Sequence, residues 1–534
     1  MVYMRNCFLI LASAATLAAQ VKYEDILQGP RANWVTYAGN YQGWRYSPLN
    51  QITAANAGTI VPKWVYHVPD SRGLRSSPLV YDGVLYITNT NSIYAVDART
   101  GRQIWQWADP KAKRQGVNRG SAILGNKVYF TTADNYLVAL DRRSGGVIFS
   151  KKFGDETKGT TSTSAPLAVK DKIIVGSAGG DSGTRGSITA LSAEDGHELW
   201  RTYTVPARGE PGSETWGDLI EWGGGAAWLS GTYDPELNSL FWTTGNPWPD
   251  FAGATRKGDN LYTCSLLSLD LDTGKMKWHF QFTPHDTHDW DAQSWPVLVD
   301  TEIRGKQRKV VLHANRNGFF YALDRVTGEF LRATQLIDNV TWAKGIDDKG
   351  RPIEIPGQEP TPEGNWVCPS VKGATNWMGQ SFNPNTGLLY VITLEQCGRY
   401  NMSSQTPKPM SNFSGGGATE EGGQVIVRAL DTKTGRRVWE YPMTGAGRMW
   451  TGTVSTAGGV LFTGDDDGHF IALDAKSGKN LWHFNMGELS TASPIAYSVD
   501  GKQYVAIASA TSVFAFGLFE PAEPVTAPVI TVLK

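Results

Sequence analysis

A short sequence motif that recurs along this chain constrains its fold more than any other feature. In its clearest copy, Tyr94-Ala95-Val96-Asp97 is followed by Thr100-Gly101 and then by Trp105. The motif predicts a β-strand, a tight turn and a second strand. In this unit Asp caps the turn, Gly takes a positive φ, and Trp packs against a neighbouring unit. Further copies lie at Val138–Phe149, Thr189–Trp200, Ser268–Trp278, Ala322–Phe330, Arg428–Trp439 and Ile471–Trp482.

An eighth, incomplete copy is indicated near the start of the chain. Trp64 lies one period before Trp105, and the strands missing from its unit are predicted in the alternating stretch Tyr504–Phe516. Pairing the two chain ends in one unit closes a ring without exposed edges. We therefore expect an all-β fold, an eight-bladed β-propeller with tryptophan-docking repeats whose ring is closed by the N- and C-terminal strands. An open β-solenoid is the alternative, but the uneven spacing of the copies disfavours it.

The domain organisation follows from the repeat. No linker-like stretch divides the 534 residues, so residues 20–534 are predicted to form a single propeller domain. The intervals between copies hold large insertions at roughly 202–260 and 333–425. Because loops over the central channel usually carry the site of a propeller, we expect functional residues there.

The first 19 residues have the pattern of an export signal. Arg5 provides a positive end, Cys7–Ala19 is apolar or small, and Ala18-Ala19-Gln20 offers a cleavage region. A buried N-terminal strand or helix is the alternative. No later stretch is apolar enough to span a bilayer. The expected location is the periplasm, and the net charge of −1 argues against nucleic acid or an anionic membrane surface as partner.

Three of the four cysteines remain once residues 1–19 are removed. In an oxidising compartment Cys368 and Cys397 are a plausible disulfide with Cys264 left over, and three free thiols are the alternative. The sequence contains no Cys-x-x-Cys-His, so no c-type haem is expected on this chain.

The tripeptide Asp289-Trp290-Asp291 carries the clearest chemical signal. If this segment is extended, residues two apart point to the same face, so both carboxylates aim at one place. Two like charges that close cannot both stay ionised without help. Either one carboxyl group is protonated, or a cation lies between them.

Several longer motifs give the chain a specific resemblance. They are Asn118-Arg119-Gly120, Gly223–Trp228, Thr244–Pro247 and the segment Pro284–Asp291. With the tryptophan repeats they resemble the pyrroloquinoline quinone (PQQ) dependent alcohol dehydrogenases, which include the methanol dehydrogenase large subunit. The resemblance covers nearly the whole chain after the export signal. The spacing of Cys368 and Cys397 also matches a disulfide of that family.

The resemblance implies roles for the acidic residues. Asp289 corresponds to the catalytic base and Asn246 to an amide metal ligand, while Asp181 stands where the family usually has a metal-binding Glu. Asp291 corresponds to an additional ligand of lanthanide-dependent methanol dehydrogenases. The implied metal is Ca²⁺, with a trivalent lanthanide as the alternative. A solvated turn is the alternative role for Asp289, and an ordinary Asn-Pro turn for Asn246.

The remaining site residues are implied to hold the cofactor, PQQ. Trp228 would stack on its ring, Arg119 would pair with a carboxylate or quinone oxygen, and Arg316 would lie by the quinone oxygens as a catalytic residue. The alternatives are a purely structural role for Trp228 and an exposed surface position for Arg119 and Arg316. The other cofactor-binding candidates are Thr163, Ala178, Gly179, Gly180, Asn376 and Trp377.

Three positions depart from the family pattern. Lys113-Arg114 replace an adjacent cysteine pair, Arg75 replaces an acidic residue and Ala178 replaces a Ser. The resemblance still implies an exported enzyme that oxidises alcohols to aldehydes, transfers hydride to PQQ and passes electrons to a separate cytochrome c. An aldose or polyol dehydrogenase is the alternative enzyme. A non-catalytic propeller scaffold is a remote alternative, because it has no need of Asp181, Asn246, Trp228 and Asp289 together.

Overall fold

The computed structural model describes residues 20–69, 71–406, 408–411, 413–448 and 450–521. The predicted signal peptide, residues 1–19, lies outside the described residues. The described part of the chain is all-β apart from one short α-helix, α1 (Tyr23–Leu27), and several 3-10 helices. The 3-10 helices are Ala57–Thr59, Glu156–Lys158, Gly180–Ser182, Ser213–Thr215, Asp218–Trp222 and Gly253–Thr255.

The strands of the first half form five antiparallel sheets after two N-terminal strands, β1 (Tyr46–Ser47) and β2 (Ile60–His67). Sheet 1 contains β3 (Leu79–Tyr81), β4 (Val84–Asn89), β5 (Ser92–Asp97) and β6 (Gln103–Ala108). Sheet 2 contains β7 (Ala122–Leu124), β8 (Lys127–Thr131), β9 (Tyr136–Asp141) and β10 (Val147–Lys152). Sheet 3 contains β11 (Leu167–Val169), β12 (Lys172–Gly176), β13 (Ser187–Ser192) and β14 (Glu198–Tyr203). Sheet 4 contains β15 (Thr232–Asp234), β16 (Ser239–Thr243), β17 (Ser265–Asp270) and β18 (Met276–Gln281). Sheet 5 contains β19 (Val297–Ile303), β20 (Lys306–Ala314), β21 (Phe319–Asp324) and β22 (Phe330–Gln335).

Three more sheets of this kind follow an insertion that contains β23 (Ala343–Ile346), β24 (Pro352–Glu354) and β25 (Asn365–Val367). Sheet 6 contains β26 (Ser381–Asn383), β27 (Leu388–Glu395) and, after the inserted β28 (Gly398–Met402) and β29 (Gly416–Glu420), β30 (Gln424–Asp431) and β31 (Arg437–Pro442). Sheet 7 contains β32 (Val454–Thr456), β33 (Val460–Gly464), β34 (His469–Asp474) and β35 (Asn480–Asn485), with β1 added parallel to β32. Sheet 8 contains β36 (Ile495–Val499), β37 (Lys502–Ser509), β38 (Ser512–Leu518) and β2.

Sheet 8 joins the two ends of the described chain. Strand β2 pairs antiparallel with β38, from Ile60 opposite Leu518 to His67 opposite Ser512. The sequence predicted this pairing from Trp64 and the β-rich C-terminal stretch. A buried arginine, Arg45, fastens the N-terminal segment further, because its guanidinium donates to the carbonyl oxygens of Tyr37, Thr453 and Pro494.

The repeated sequence motifs form the predicted strand–turn–strand units. In the first, Asp97 Oδ1 accepts the Arg99 amide at 2.8 Å and Gly101 has a φ of +71°. The indole of Trp64 donates to the Ala98 carbonyl, and a Cβ on Gly101 would come within 2.8 Å of its ring. The tryptophan of one sheet thus lies against the turn glycine of the next sheet. The same arrangement joins Trp105 to Gly145, Trp200 to Gly274 and Trp439 to Gly478.

The core lies between neighbouring sheets. Inner strands such as β12 are buried along their length, whereas fourth strands such as β6 are mostly exposed, with Trp105 buried. Cys368 and Cys397 form a disulfide, which confirms the pairing, and Cys264 is a buried free thiol. None of the helices in the described ranges is long and apolar enough to cross a membrane.

The buried imidazole of His313 makes stability dependent on pH. It stacks on Phe282 with ring centroids 4.4 Å apart, and burial lowers its pKa to about 3. The unfolded chain binds this proton near pH 6.5, whereas the folded chain does not, so stability is lost as pH falls through this window. Between pH 6 and pH 4 the wild type should lose about 2–3 kcal/mol more unfolding free energy than His313→Gln. Denaturant unfolding at several pH values measures this difference, and parallel pH profiles for the two proteins would contradict it.

Candidate active site

The candidate site residues lie in two kinds of connection between strands. Arg119, Trp228 and Asp289 lie between consecutive sheets, whereas Asp181, Asn246 and Arg316 lie between the second and third strands of sheets 3, 4 and 5. Because neighbouring strands in each sheet run in opposite directions, both kinds of connection leave the same end of the sheet. The topology therefore brings residues from distant parts of the sequence to one end of the molecule.

The acidic motif forms a loop held by its own side chains. Asp289 has a φ of +59°, so the extended conformation considered for Asp289–Asp291 is wrong. The buried carboxylate of Asp286 accepts the backbone amides of His288 and Trp290, at 3.3 and 3.0 Å. These bonds stabilise a left-handed residue that would otherwise be unfavourable, and they hold the Asp289 side chain in place.

A cation does lie between the two carboxylates, and it belongs to the protein. Arg316 Nη1 is 2.7 Å from Asp291 Oδ2, and Arg316 Nη2 is 3.6 Å from Asp289 Oδ2. Arg316 Nη2 also donates to the Val371 carbonyl. Since the arginine side chain is almost fully buried, its charge is little screened and stabilises both acids in their ionised forms.

Asp291 connects the acidic loop to two further candidate residues. Its Oδ2 accepts the indole N–H of Trp228 at 3.1 Å, in addition to Arg316. Its Oδ1 accepts the backbone amide of Asn246 at 2.7 Å. Both carboxylate oxygens are therefore engaged, and Asp291 fixes Trp228, Asn246 and Arg316 relative to one another.

Burial and mutual repulsion make the acidic groups hard to ionise. Burial raises the pKa of Asp289 well above its usual value, and nearby Asp291 and Asp181 raise it further, although Arg316 opposes the shift. Burial and then Asp291 raise the pKa of Asp181 to about 6. Asp181 remains open to water, yet enough protein surrounds it to produce this shift. A carboxylate with a raised pKa is better suited to accept a proton from a weak acid.

The donor atoms around this cluster fit a hard cation. The side-chain nitrogen of Asn246 donates to Asp250 Oδ1 at 2.7 Å, while no described residue donates to the Asn246 side-chain oxygen. Together with Asp181 and Asp289 this oxygen supplies the ligand type that Ca²⁺ and lanthanide ions prefer. Within the described ranges, no three His, Cys, Asp or Glu side chains are grouped closely enough to hold a metal by themselves.

Arg119 and two tryptophans form a second part of the site, which fits a flat anion. The Arg119 guanidinium lies 4.5 Å from the Trp228 ring centroid and 4.9 Å from that of Trp377. It donates to the Thr163 carbonyl, but its buried Nε has no partner among the described residues. A buried arginine with an unsatisfied donor and no carboxylate partner is expected to pair with an acidic ligand. Burial, and then the neighbouring charge of Arg75, lower the pKa of Arg119 to about 10.

The remaining predicted cofactor residues lie nearby but are engaged with the protein. The Thr163 hydroxyl donates to the Trp228 carbonyl, and the Asn376 side chain bonds to Lys372 and to the Trp377 amide. Gly179 has a φ of +108°, and a Cβ there would come within 2.5 Å of a neighbouring carbonyl. Ala178 pairs with Thr161 through the backbone, and Gly180 begins the 3-10 helix that carries Asp181.

Three buried residues of this region were not identified from the sequence. Asp286 lies within the acidic motif itself, and Asp250 follows Asn246 by four residues, so both could have been found by their proximity to predicted ligands. Arg256 belongs to no recognisable motif. It bonds to Pro249 in its own connection and to Asp286 in the acidic loop, and local sequence does not show the second contact.

Comparisons with known proteins agree with this geometry. Residues 34–335 and 443–505 match a family model described as "PQQ: Glucose/ethanol/alcohol dehydrogenase, beta-propeller domain". The chain is 38% identical to "Quinoprotein alcohol dehydrogenase PedH" of Pseudomonas putida over 94% of this chain and 90% of that protein. It is 34% identical to "Lanthanide-dependent methanol dehydrogenase" of Methylacidiphilum fumariolicum over 90% and 85% of the two chains.

Comparison with solved structures also finds similarity to alcohol dehydrogenases of this type. The quinohemoprotein alcohol dehydrogenase ADHIIG of Pseudomonas putida HK5 superposes with a TM-score of 0.88 at 34% identity, covering 95% of this chain and 84% of that one. The all-β fold is accordingly of the propeller type. This chain belongs to the PQQ-dependent quinoprotein family, whose similar members are alcohol and methanol dehydrogenases.

Proposed function

We propose that this protein is a periplasmic PQQ-dependent alcohol dehydrogenase that oxidises alcohols to aldehydes and passes the electrons to a separate cytochrome c. The observation that carries the proposal is the contact of Asp291 with Arg316, Trp228 and Asn246 beside Asp289. This arrangement combines a base, an aromatic surface and oxygen ligands for a cation. A structural propeller has no physical need to bury these groups together.

The proposal includes the finer architecture. Sheets 1 to 8 would be the eight blades of a closed ring formed by residues 20–534, after removal of a signal peptide at residues 1–19. The pairing of β2 with β38 supports closure of the ring. The contacts of Trp64, Trp105, Trp200 and Trp439 with the next sheet support tryptophan docking between blades.

The cofactor would lie against Trp228, with Arg119 and Arg316 facing its negatively charged oxygens. When bound, PQQ supplies the two-electron oxidising power that protein side chains lack. Residues Ala178 to Gly180, Thr163, Asn376 and Trp377 would line its binding site. Asp181, Asn246 and Asp289, with Asp291 as an additional ligand, would hold Ca²⁺. A lanthanide is the alternative, which similarity to a lanthanide-dependent methanol dehydrogenase supports.

The side chains of this chain would handle the proton and the charge. Asp289 would accept the hydroxyl proton of the alcohol, because its raised pKa makes it a stronger base than an exposed carboxylate. Arg316 would remain charged, because Asp289 and Asp291 raise its pKa against the effect of burial. It would stabilise negative charge next to the reacting groups.

Reconstitution of the purified chain with PQQ and Ca²⁺, or with PQQ and a lanthanide, tests the function directly. Primary alcohols should give cofactor-dependent dye reduction, and aldoses or polyols should give much less. Asp289→Asn should lower kcat by about 10²–10⁴-fold, because it removes the proton acceptor. PQQ binding by this variant serves as the control and should be retained. Absence of turnover with every alcohol, or full activity of Asp289→Asn, would contradict the proposal.

Arg119→Lys tests the anion-binding part of the site. Lysine cannot reproduce the planar fork that lies between Trp228 and Trp377, so PQQ affinity should fall about tenfold or more. Quenching of tryptophan fluorescence on titration with PQQ measures the affinity. Arg201→Lys, in an arginine that pairs with Glu198 on sheet 3, is the matched control and should leave affinity unchanged. Equal affinities for all three proteins would refute the role of Arg119.

Asp291→Asn tests the charge requirement of the metal. Asparagine keeps the shape of the side chain but removes the negative charge. A carboxylate stabilises a bound trivalent ion more than it stabilises bound Ca²⁺. We expect lanthanide affinity to fall about tenfold more than Ca²⁺ affinity. Competition between the two ions, followed by metal analysis, measures the change. An equal effect on both ions would exclude Asp291 as a discriminating ligand.

A further inference from the structure

Asp250 is a buried carboxylate next to the proposed cation site. Only 3% of the residue is exposed, and its Oδ1 accepts the side-chain nitrogen of Asn246 at 2.7 Å. The carboxylate of Asp250 is also close enough to Asp181 and Asp289 for their charges to disfavour its ionisation. Burying a carboxylate in this position costs free energy unless it is hydrogen-bonded or paired.

The contact with Asp250 fixes which way the Asn246 amide faces. An amide carries its donor and its acceptor on opposite branches, so engagement of the nitrogen by a carboxylate turns the oxygen away. The backbone of Asn246 is fixed as well, because its amide N–H donates to Asp291 Oδ1. The oxygen, which accepts no hydrogen bond from the described residues, is thereby left available for a cation.

Arg256 holds Asp250 on a rigid support. The arginine is fully buried and donates to the Pro249 and Asp250 carbonyl oxygens, each at 2.9 Å. It donates also to the Asp286 carbonyl in the acidic loop. The loop that carries Asn246 and Asp250 is therefore bonded to the loop that carries Asp289.

We propose that Asp250 is a positioning residue for the cation ligand Asn246, and that Arg256 holds it at the required place. This inference rests on the proposed cation site and extends it to a residue outside the ligand set. Asp250 acts by accepting a hydrogen bond from Asn246. Its negative charge is secondary to that acceptor role.

A pair of substitutions separates the hydrogen bond from the charge. Asp250→Asn keeps an oxygen acceptor for Asn246 but removes the charge, whereas Asp250→Leu keeps the branched shape of the side chain, with larger methyl groups, and removes the acceptor. We expect Asp250→Leu to weaken cation binding by about 10–100-fold and Asp250→Asn to restore most of it. Tryptophan-sensitised Tb³⁺ luminescence of the PQQ-loaded chain, with Ca²⁺ as competitor, measures the affinities. Equal losses in both variants, or no loss in Asp250→Leu, would overturn the positioning role.

Two controls keep the result interpretable. Asp234→Asn changes another buried aspartate. Asp234 lies in sheet 4 and pairs with Arg325, so this variant should leave Tb³⁺ affinity unchanged. Thermal unfolding without metal shows whether each variant is folded. If Asp250→Leu does not fold, Asp250→Ser, which retains a shorter acceptor, should give an affinity below that of Asp250→Asn. A Ser variant with affinity equal to or above that of Asn would overturn the proposal.

The wild type distinguishes this inference from the proposed function. Tb³⁺ binding without PQQ-dependent turnover would refute the dehydrogenase activity and leave the positioning role standing. Turnover together with unchanged cation affinity in Asp250→Leu would refute the positioning role alone. A wild-type chain that binds neither Tb³⁺ nor Ca²⁺ would overturn both.

Discussion

The pairing of β2 with β38 is the constraint on which the rest of this structure depends. It unites strands from the two ends of the described chain in one sheet, so the first and last repeats cannot form independently. Trp64 of β2 then lies against the turn of sheet 1, and this contact joins sheet 8 to sheet 1. Closing so long a chain has a conformational cost that only many sheet and tryptophan contacts together offset.

The site depends in turn on a balance of buried charge. Asp289 and Asp291 would repel one another without Arg316, and the arginine would be costly to bury without them. Asp291 uses this pairing to fix Trp228 and Asn246 as well. A substitution at Asp291 therefore disturbs Trp228, Asn246 and Arg316 at once. The position of each group in the site is set mainly by hydrogen bonds to other buried groups.

The loop between β25 and β26 supports the same residues from a third direction. The Trp290 indole donates to the Ser370 carbonyl, and Arg316 donates to the Val371 carbonyl. This loop begins at Cys368, whose disulfide with Cys397 links it to the end of β27. The disulfide therefore stabilises backbone that contacts both the acidic motif and its arginine. The large insertion predicted at 333–425 contributes these backbone contacts and also the ring of Trp377, which lies against Arg119.

The sequence by itself determined the strand–turn–strand repeat and, through the incomplete copy at Trp64, the pairing of the chain ends, while its resemblance to a known family indicated the candidate site residues. The repeat depends on local chemistry: a turn needs Asp and Gly at fixed spacing, and a strand needs alternation. The conformation of Asp289, the placement of Arg316 between two acids, and the contacts of Asp250 and Arg256 were decided only by the tertiary structure. They depend on which loops meet at one end of the sheets, and no local pattern records the distance between side chains that are far apart in the chain.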